Sequence, residues 1–347
     1  MIPYFRLSTS KEELEALTYV HGTGNWAIGE AINEVEGMLS NLFQQKQVVL
    51  TSNGYSALFI SLKALGIRNQ KIILPCISTC FAISNAIIAS NNIPVFCDVN
   101  KEDGNCDIKH VSSLVKEQNI NYIISPNHAG NISDISYFKN ELKMTVIEDA
   151  CQSFFSSLYI NSEADIQVFS FYPTKGVNGI DGGAIITSNK ALANKARLLV
   201  YYNNQVEFEA VEHYNFRFLN INAQVLLANL KRIEIITKKL KQIKDRYITG
   251  LKNKEQVQFL ANSISEVPHR FVIYFKTEES KAKAENEFKK NDVSLSHFYE
   301  WICPKENRQE YPNASFLVEK SFCVPFFEDL KNDEIETIVK TLDNAFS

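Results

Sequence analysis

Lys175 sits where an apolar alternation gives way to a glycine-rich turn, in Phe169-Ser170-Phe171-Tyr172-Pro173-Thr174-Lys175-Gly176-Val177-Asn178-Gly179-Ile180-Asp181-Gly182-Gly183-Ala184. Val168, Phe169, Phe171 and Tyr172 predict a buried strand, Pro173 ends it, and Ala184-Ile185-Ile186-Thr187 predicts a second strand beyond the glycines. A lysine held between two core strands loses water, which favours the neutral amine that condenses with an aldehyde or ketone. The same residue also fits a loop lysine that reaches solvent and does no chemistry. A second segment bears on the choice. Met144-Thr145-Val146-Ile147 is another apolar run, closing on Glu148-Asp149-Ala150-Cys151-Gln152-Ser153. Acids at a strand's exit lie where open α/β sheets collect their ligands.

Together the two segments resemble the DegT/DnrJ/EryC1/StrS family of pyridoxal-phosphate (PLP) sugar aminotransferases. Its members carry a strand ending in E-D-A-x-Q and, later, S-F-x-x-x-K before a G-D-G-G-like turn, here Gly179-Ile180-Asp181-Gly182-Gly183. The resemblance implies an α/β protein of PLP fold type I (aspartate aminotransferase-like). Residues 1–247 would form a large domain with a mostly parallel sheet, an N-terminal arm and a long connecting helix, and residues 248–347 a small C-terminal α+β domain. It implies pyridoxal 5'-phosphate bound covalently at Lys175, whose freed amine then shuttles a proton. Asp149 would keep the pyridine nitrogen protonated, so that the ring draws electrons. Gln152 would hydrogen-bond the ring hydroxyl, and Ser170 would bind the phosphate with the Tyr55/Ser56 turn opposite.

These residues need elements to position them. The first thirty residues are weakly patterned; Trp26-Ala27-Ile28-Gly29 loosely matches the family's Trp-x-x-Gly entry and also fits an aromatic anchor for an arm packed on a neighbour. Ile32, Val35, Met38, Leu39 and Leu42 predict a helix over Glu30–Phe43. A strand at Val48–Thr51, the turn Ser52-Asn53-Gly54-Tyr55-Ser56 and a helix over Ala57–Leu65 form an anion site in outline, because free amides at a helix N-terminus point at a phosphate. The family's motif here reads Asn53-Gly54-Tyr55-Ser56-Ala57-Leu58. Tyr55 stands in the usual threonine place, leaving the amides of Tyr55 and Ser56 and the Ser56 hydroxyl to serve. A ligand-free turn fits the same residues.

The strand Lys71–Pro75, a helix over Thr79–Ala89 and the strand Ile93–Asp98 follow the family down to Asn85-Ala86-Ile87, with one extra residue after Pro75. Counting back from Asn85 places Cys80 where many relatives stack an aromatic ring on the cofactor, and Phe81 takes that place if the register shifts. Both also fit a helix face in the core. A helix over Val111–Glu117, a strand at Tyr122–Ser125 and a helix over Ile132–Leu142 come next, with His128 as a wall of the site by the family's H-x-x-G. The alternation from Val48 to Ile186 argues a mostly parallel sheet with helices on both faces.

A helix over Leu192–Tyr202 precedes Tyr214-Asn215-Phe216-Arg217 and a long helical pattern through Tyr247. In relatives the asparagine matching Asn215 reaches the PLP phosphate of the neighbouring subunit, which implies a homodimer with shared sites. Asn215 also fits a helix cap. The basic residues Lys231, Arg232, Lys238, Lys239, Lys241, Lys244 and Arg246 predict a solvated face. Beyond Leu251, strands at Val257–Leu260 and Phe271–Phe275 alternate with helices over Ser280–Asn291 and Asn332–Ala345. His297-Phe298-Tyr299 takes the place of a family H-Y-P segment without its proline, making His297 and Tyr299 substrate-side candidates. Arg217 or Arg270 would meet a substrate diphosphate, or either is a surface arginine.

The chain has 347 residues, 45% hydrophobic and 22% charged, enough for about two domains. A net charge of -4 suggests neither nucleic acid nor an anionic membrane as partner. No apolar run reaches the ~18 residues of a membrane span, and the N-terminus has no signal-peptide pattern, so the expected location is cytoplasmic. Seven cysteines without a CxxC pair read as reduced thiols rather than metal ligands. The function expected is transfer of an amino group from glutamate to a nucleotide-linked keto-deoxysugar, for aminosugar, surface polysaccharide or antibiotic sugar biosynthesis. Some members with histidine in the lysine place are dehydratases, and Lys175 argues against that. A catalytically silent PLP-fold subunit or binding module, and an aminotransferase acting on a non-nucleotide keto substrate, stay open.

Overall fold

The apolar run ending at Asp149 and the one ending at Ser170 lie side by side in one sheet. A computed structural model describes residues 1–157, 161–202, 212–251, 255, 257–259 and 267–346. In chain order, α1 (Lys11–Thr23), α2 (Ala31–Leu42), β1 (Gln47–Thr51), α3 (Gly54–Leu65), β2 (Lys71–Pro75), β3 (Ile77–Ser78), α4 (Ala82–Ala89), β4 (Ile93–Cys97), α5 (Ile108–Gln118) and β5 (Tyr122–Pro126) come first. Then follow β6 (Thr145–Asp149), α6 (Phe154–Ser157), β7 (Ile166–Ser170), β8 (Gly183–Thr187), α7 (Lys190–Val200), α8 (Asn220–Lys231) and α9 (Ile233–Leu251). The C-terminal part holds β9 (Val257–Phe259), β10 (Phe271–Phe275), α10 (Glu278–Lys290), β11 (Glu300–Trp301), α11 (Pro312–Lys320), β12 (Ser321–Val324) and α12 (Asn332–Asn344).

Seven strands form the large sheet in the order β1-β8-β7-β6-β5-β2-β4. β8 alone runs against the rest, pairing antiparallel with both β7 and β1, while β4, β2, β5, β6 and β7 are parallel. The side-chain period of two sorts each strand onto two cores. Val48, Leu50, Phe169, Ala184 and Ile186 face α2 and α8, whereas Val49, Val168 and Ile185 face α3, α4 and α7. Both faces are covered, which is why these strands read as nearly continuous apolar runs. The expected mostly parallel α/β sheet is therefore the one observed.

The C-terminal part is built on an antiparallel sheet, β12-β10-β9, with α10 and α12 packed on it. The expected division at residue 247 falls inside α9, which continues to Leu251. Two further pairings tie the parts together: β11 pairs with β3, and Ile2 bridges Val293, so the first residues of the chain run along the C-terminal part.

Several element limits differ from the sequence pattern, each for a local reason. The helix expected from Ala57 starts at Gly54, because the Asn53 side chain caps it by accepting from the Ser56 amide at 2.8 Å. The helix expected from Thr79 starts only at Ala82, and Thr79 instead accepts a hydrogen bond from Gln152 Nε2 at 2.7 Å. Over Ile132–Leu142 a regular π-type turn covers only Tyr137–Glu141; Asn127 Oδ1 accepts from the Ser133 amide, competing with helix formation upstream. The strand expected to include Tyr172 stops at Ser170, and Tyr172 is 53% exposed. The long helical pattern is two helices, broken at Arg232 between α8 and α9. Leu260, the expected end of β9, lies outside the described residues.

Candidate active site

Parallel strands deliver their carboxyl ends to one edge, and the cleft there encloses about 650 Å³. Asp149 ends β6, Ser170 ends β7, Pro126 ends β5, and all three line the cleft with the first turn of α3. Between β7 and β8 the chain rises into the loop bearing Lys175, which lines the same cleft. The loop is held at many points. The Lys175 amide donates to the Tyr172 carbonyl at 2.8 Å, the Gly179 amide to that of Phe171 at 2.9 Å, and Asn222 and Asn229 side chains donate to the carbonyls of Asp181 and Asn178, both at 3.0 Å. A Cβ on Gly176 would stand 2.2 Å from the Phe155 ring, so the loop's close approach to the core needs glycine there.

Asp149 is oriented by the Cys151 amide, which donates to its Oδ1 at 3.1 Å. Desolvation, reinforced by Asp149, pushes the Cys151 thiol well up, so it stays protonated and is no nucleophile. Gln152 lines the cleft with its amide held at both ends: Oε1 accepts from Ala129 at 2.8 Å and Nε2 donates to Thr79. Gly54 approaches so closely that an added Cβ would stand 2.9 Å from Ser170 Cβ. The Gly54 and Tyr55 amides, at the first two helical positions, have no carbonyl to reach within α3, and both residues line the cleft.

Other candidates fall elsewhere. Ser56 is buried, its amide and hydroxyl both donating to Asn53 Oδ1 at 2.8 and 2.9 Å and its oxygen 2.8 Å from Ser52 Oγ, so it is engaged by the Asn53 cap of α3 and does not line the cleft. Cys80 lines the cleft; Phe81 does not, is 50% exposed, and neither belongs to a core. His128 lies behind the wall, fully buried, with Nδ1 donating to the Gly104 carbonyl at 2.7 Å and Nε2 3.3 Å from Ser78 Oγ. Burial holds its ring neutral by lowering its pKa. His297 lines the cleft, whereas Tyr299, two residues on, turns inward against Gly104 and the His128 ring. Arg217 stacks over the Tyr201 ring at 5.0 Å and is not part of the cleft. Asn215 is exposed, pairs with Tyr201 as an isolated bridge five residues before α8, and caps no helix. It does not line the cleft of its own chain.

The cleft also takes residues to which the sequence assigned no role. Tyr4 comes from the N-terminal segment, His269 from just before β10, Glu300 from β11 and Asp181 from the glycine turn. Burial raises the Asp181 carboxyl and, with Arg270 and Lys175 nearby, drives His269 well down. Asp181 was the legible one, since it stands inside the motif; the others are brought in by contacts far apart in sequence. An amine, a fixed carboxylate, an amide-bearing helix start beside a serine hydroxyl, and a glycine cradle with room for a ligand together fit PLP.

Comparison with known proteins bears on this set. A family model described as the DegT/DnrJ/EryC1/StrS aminotransferase family matches residues 8–343. The chain is 32% identical over 294 residues to the 3-oxo-glucose-6-phosphate:glutamate aminotransferase of Bacillus subtilis (strain 168), covering 80% of this chain and 66% of that protein. It is 23% identical to the GDP-perosamine synthase of Escherichia coli O157:H7, over 100% of this chain and 99% of that one. Among solved structures, NtdA from Bacillus subtilis with bound cofactor PMP superposes with a TM-score of 0.87 at 25% identity, covering 99% of this chain and 84% of that chain.

Proposed function

Because the chain belongs to the DegT/DnrJ/EryC1/StrS aminotransferase family, whose enzymes use PLP, we propose that it moves an amino group from glutamate to a nucleotide-linked keto-deoxysugar. The observation that carries the reading is the meeting of Lys175 and Asp149 in one cleft, from a loop and a strand end. When bound, PLP supplies an electron sink for the carbon that loses its proton. Lys175 Nζ holds the cofactor between turnovers and then takes and returns that proton. Asp149, fixed by the Cys151 amide, holds a proton on the pyridine nitrogen. The amides of Gly54 and Tyr55 and the Ser170 hydroxyl take the phosphate, with the α3 dipole in support. Cys80 and Gln152, which both line the cleft, would hold the cofactor ring, Gln152 through its side-chain amide. His297 and Glu300 stand on the sugar side.

The reading includes a homodimer. Trp26 (47% exposed), Ile28 (73%), Ile180 (43%) and Leu219 (38%) are exposed apolar residues. Hydrogen bonds from Ile221 to Trp26, from Asn220 to Ala27 and from Asn222 to Asp181 gather their segments into one patch beside the cleft. Such a patch is what a second subunit would cover, and it leaves exposed Asn215 free to reach the partner's phosphate. No helix among the described residues is long and apolar enough to cross a membrane. All seven cysteines are unpaired, which supports a reducing, cytoplasmic location.

A keto sugar carrying a single phosphate is the second reading of the acceptor. Its support is the 32% identity to an enzyme named for 3-oxo-glucose-6-phosphate, against 23% for one named for a GDP-sugar. The deciding experiment reduces the PLP-loaded protein with glutamate and offers nucleotide 4-keto and 3-keto sugars beside keto-hexose phosphates. Recovery of the yellow form with nucleotide sugars alone supports the first reading, and recovery with hexose phosphates alone replaces it with the second. A protein that glutamate never bleaches is no aminotransferase for this donor.

A further inference from the structure

Asn215 stands between two aromatic residues that are both gripped by α3. The Tyr214 and Phe216 rings stack at 5.5 Å with their planes 3° apart, and each meets the Phe59 ring edge-on, at 5.0 and 5.9 Å. Their backbone runs extended past the end of α7: the Tyr214 amide donates to the Leu199 carbonyl at 2.9 Å, the Phe216 amide to that of Val200 at 2.8 Å, and Asn215 bridges Tyr201. The Ser52 amide, in the turn before α3, donates to the Phe216 carbonyl at 2.7 Å. Side chains alternate along an extended backbone, so seating Tyr214 and Phe216 against α3 turns Asn215 the other way. Asn215 is exposed. Lys63, one turn beyond Phe59 on the same face of α3, closes the grip. Its ammonium is 2.8 Å from Glu212 Oε2 and lies 5.6 and 6.0 Å from the Phe59 and Tyr214 ring centres. The same carboxylate oxygen accepts from the Tyr214 hydroxyl at 2.9 Å and from Arg68 at 3.0 Å. The Lys63 side chain is 6% exposed and that of Glu212 49%. An apolar side chain of similar length would fill the same space without desolvating a charge, so stability alone does not account for Lys63 there. What the charge adds is a fixed position for Glu212 and for the residues that follow it.

We propose that Lys63 is a positioning residue for the site of the partner subunit: through Glu212 and Tyr214 it holds Asn215 where its side-chain amide meets the cofactor phosphate across the dimer. The inference rests on the shared-site homodimer read above. The grip serves no contact in its own cleft, because Phe59, Lys63, Tyr214 and Asn215 do not line it. α3 therefore works for two phosphates. Its first turn, with Gly54 and Tyr55, faces the cleft of its own chain, and the following turns hold the residue sent to the other.

The test asks which subunit's site suffers. Lys63→Met keeps the length of the side chain, removes its charge and leaves Glu212 to water. In homodimers of this variant the PLP dissociation constant, read from the absorbance of the Lys175-bound cofactor, should rise about tenfold, as for one lost hydrogen bond to a charged group. Heterodimers with a single Lys175 then separate the subunits. A Lys63→Met chain paired with a Lys175→Ala chain should bind PLP as wild type does, since its site takes Asn215 from an intact grip. A wild-type chain paired with a chain carrying both changes should show the loss, although its own Lys63 is present. A loss that stays with the chain bearing Lys63→Met, or homodimers that bind PLP as wild type does, overturns the proposal. If Lys63→Met does not fold, Tyr214→Ala, at a half-buried ring, should give the same crossed pattern, and an uncrossed one overturns the proposal equally. Asn215→Ala paired with Lys175→Ala is the control. No recovery of binding there fails the shared-site reading itself, whereas recovery there without the crossed pattern for Lys63 fails this inference alone.

Discussion

Lys175 and Asp149 owe their meeting to adjacent chain ends on one sheet edge, and the chemistry proposed for them is specific enough to break. Lys175→Ala or Asp149→Ala is expected to lower turnover by roughly a thousandfold or more while the far-UV circular dichroism and thermal transition stay near wild type. Retained transamination in either variant would remove the assignment. Ser56 separates a binding role from a structural one. Both its polar groups are spent on the cap of α3, so Ser56→Ala should lower stability by about 1 kcal/mol in urea titrations and leave PLP affinity nearly unchanged. His128 carries a pH signature. Its folded pKa is lowered by burial, so in the window below its ordinary value of 6.5 the unfolded chain binds a proton that the folded chain refuses. The stability this confers is complete above that value and drains away as pH falls through it, at up to about 1.4 kcal/mol per pH unit. His128→Asn should therefore flatten the fall of the melting temperature between about pH 7 and pH 5; an unchanged slope would show that other groups, His269 first, set it.

At the scale of elements, α3 and the Lys175 loop must approach one another without side chains between. Gly54→Ala places a methyl 2.9 Å from Ser170 Cβ and 3.3 Å from Cys151 Sγ, with neither able to retreat far inside the strand ends. The expected effect is a PLP dissociation constant raised about tenfold, read by absorbance titration, with secondary structure retained. The basic residues expected on a solvated face are exposed at Lys231, Lys238, Lys239 and Lys241, and only Lys244 of the set is buried. Neighbours add to that pattern: Arg246 contacts Glu336, and Lys239 joins Arg232, which precedes the helix, in pairing with Glu328 on the C-terminal part. These ion pairs hold the C-terminal part against the helix.

On the scale of the whole molecule, the patch around Trp26, Ile28, Ile180 and Leu219 lies beside Asp181 and hence beside the cleft. Trp26→Glu combined with Ile28→Glu should shift the protein to monomer in sedimentation and lower its PLP occupancy together. Dimers that survive both changes would place the interface elsewhere. Shared sites predict complementation as well. A Lys175→Ala chain mixed with an Asn215→Ala chain should regain activity in heterodimers, provided the asparagine change is itself crippling, and no recovery after confirmed mixing would argue for self-contained sites.

The sequence by itself determined the sheet, its parallel character and the two motifs that end at Asp149 and contain Lys175. Those are local properties: apolar alternation, a strand-ending acid, and glycines where the chain turns hard. It also placed Asn53-Gly54-Tyr55 in the turn that leads into a helix, because turn chemistry is written in consecutive residues, while the helix itself starts earlier than expected, at Gly54. Only the tertiary structure decided which side chains face the cleft. Cys80 lines the cleft and its neighbour Phe81 does not, and His297 lines the wall while Tyr299, two residues on, packs into the core. Tyr4, His269 and Arg270 reach the site through contacts between the first residues of the chain, the Lys175 loop and the start of β10, separated by up to hundreds of positions. No periodicity spans such separations, because the packing that brings them together is a property of the folded surface and not of any stretch of chain.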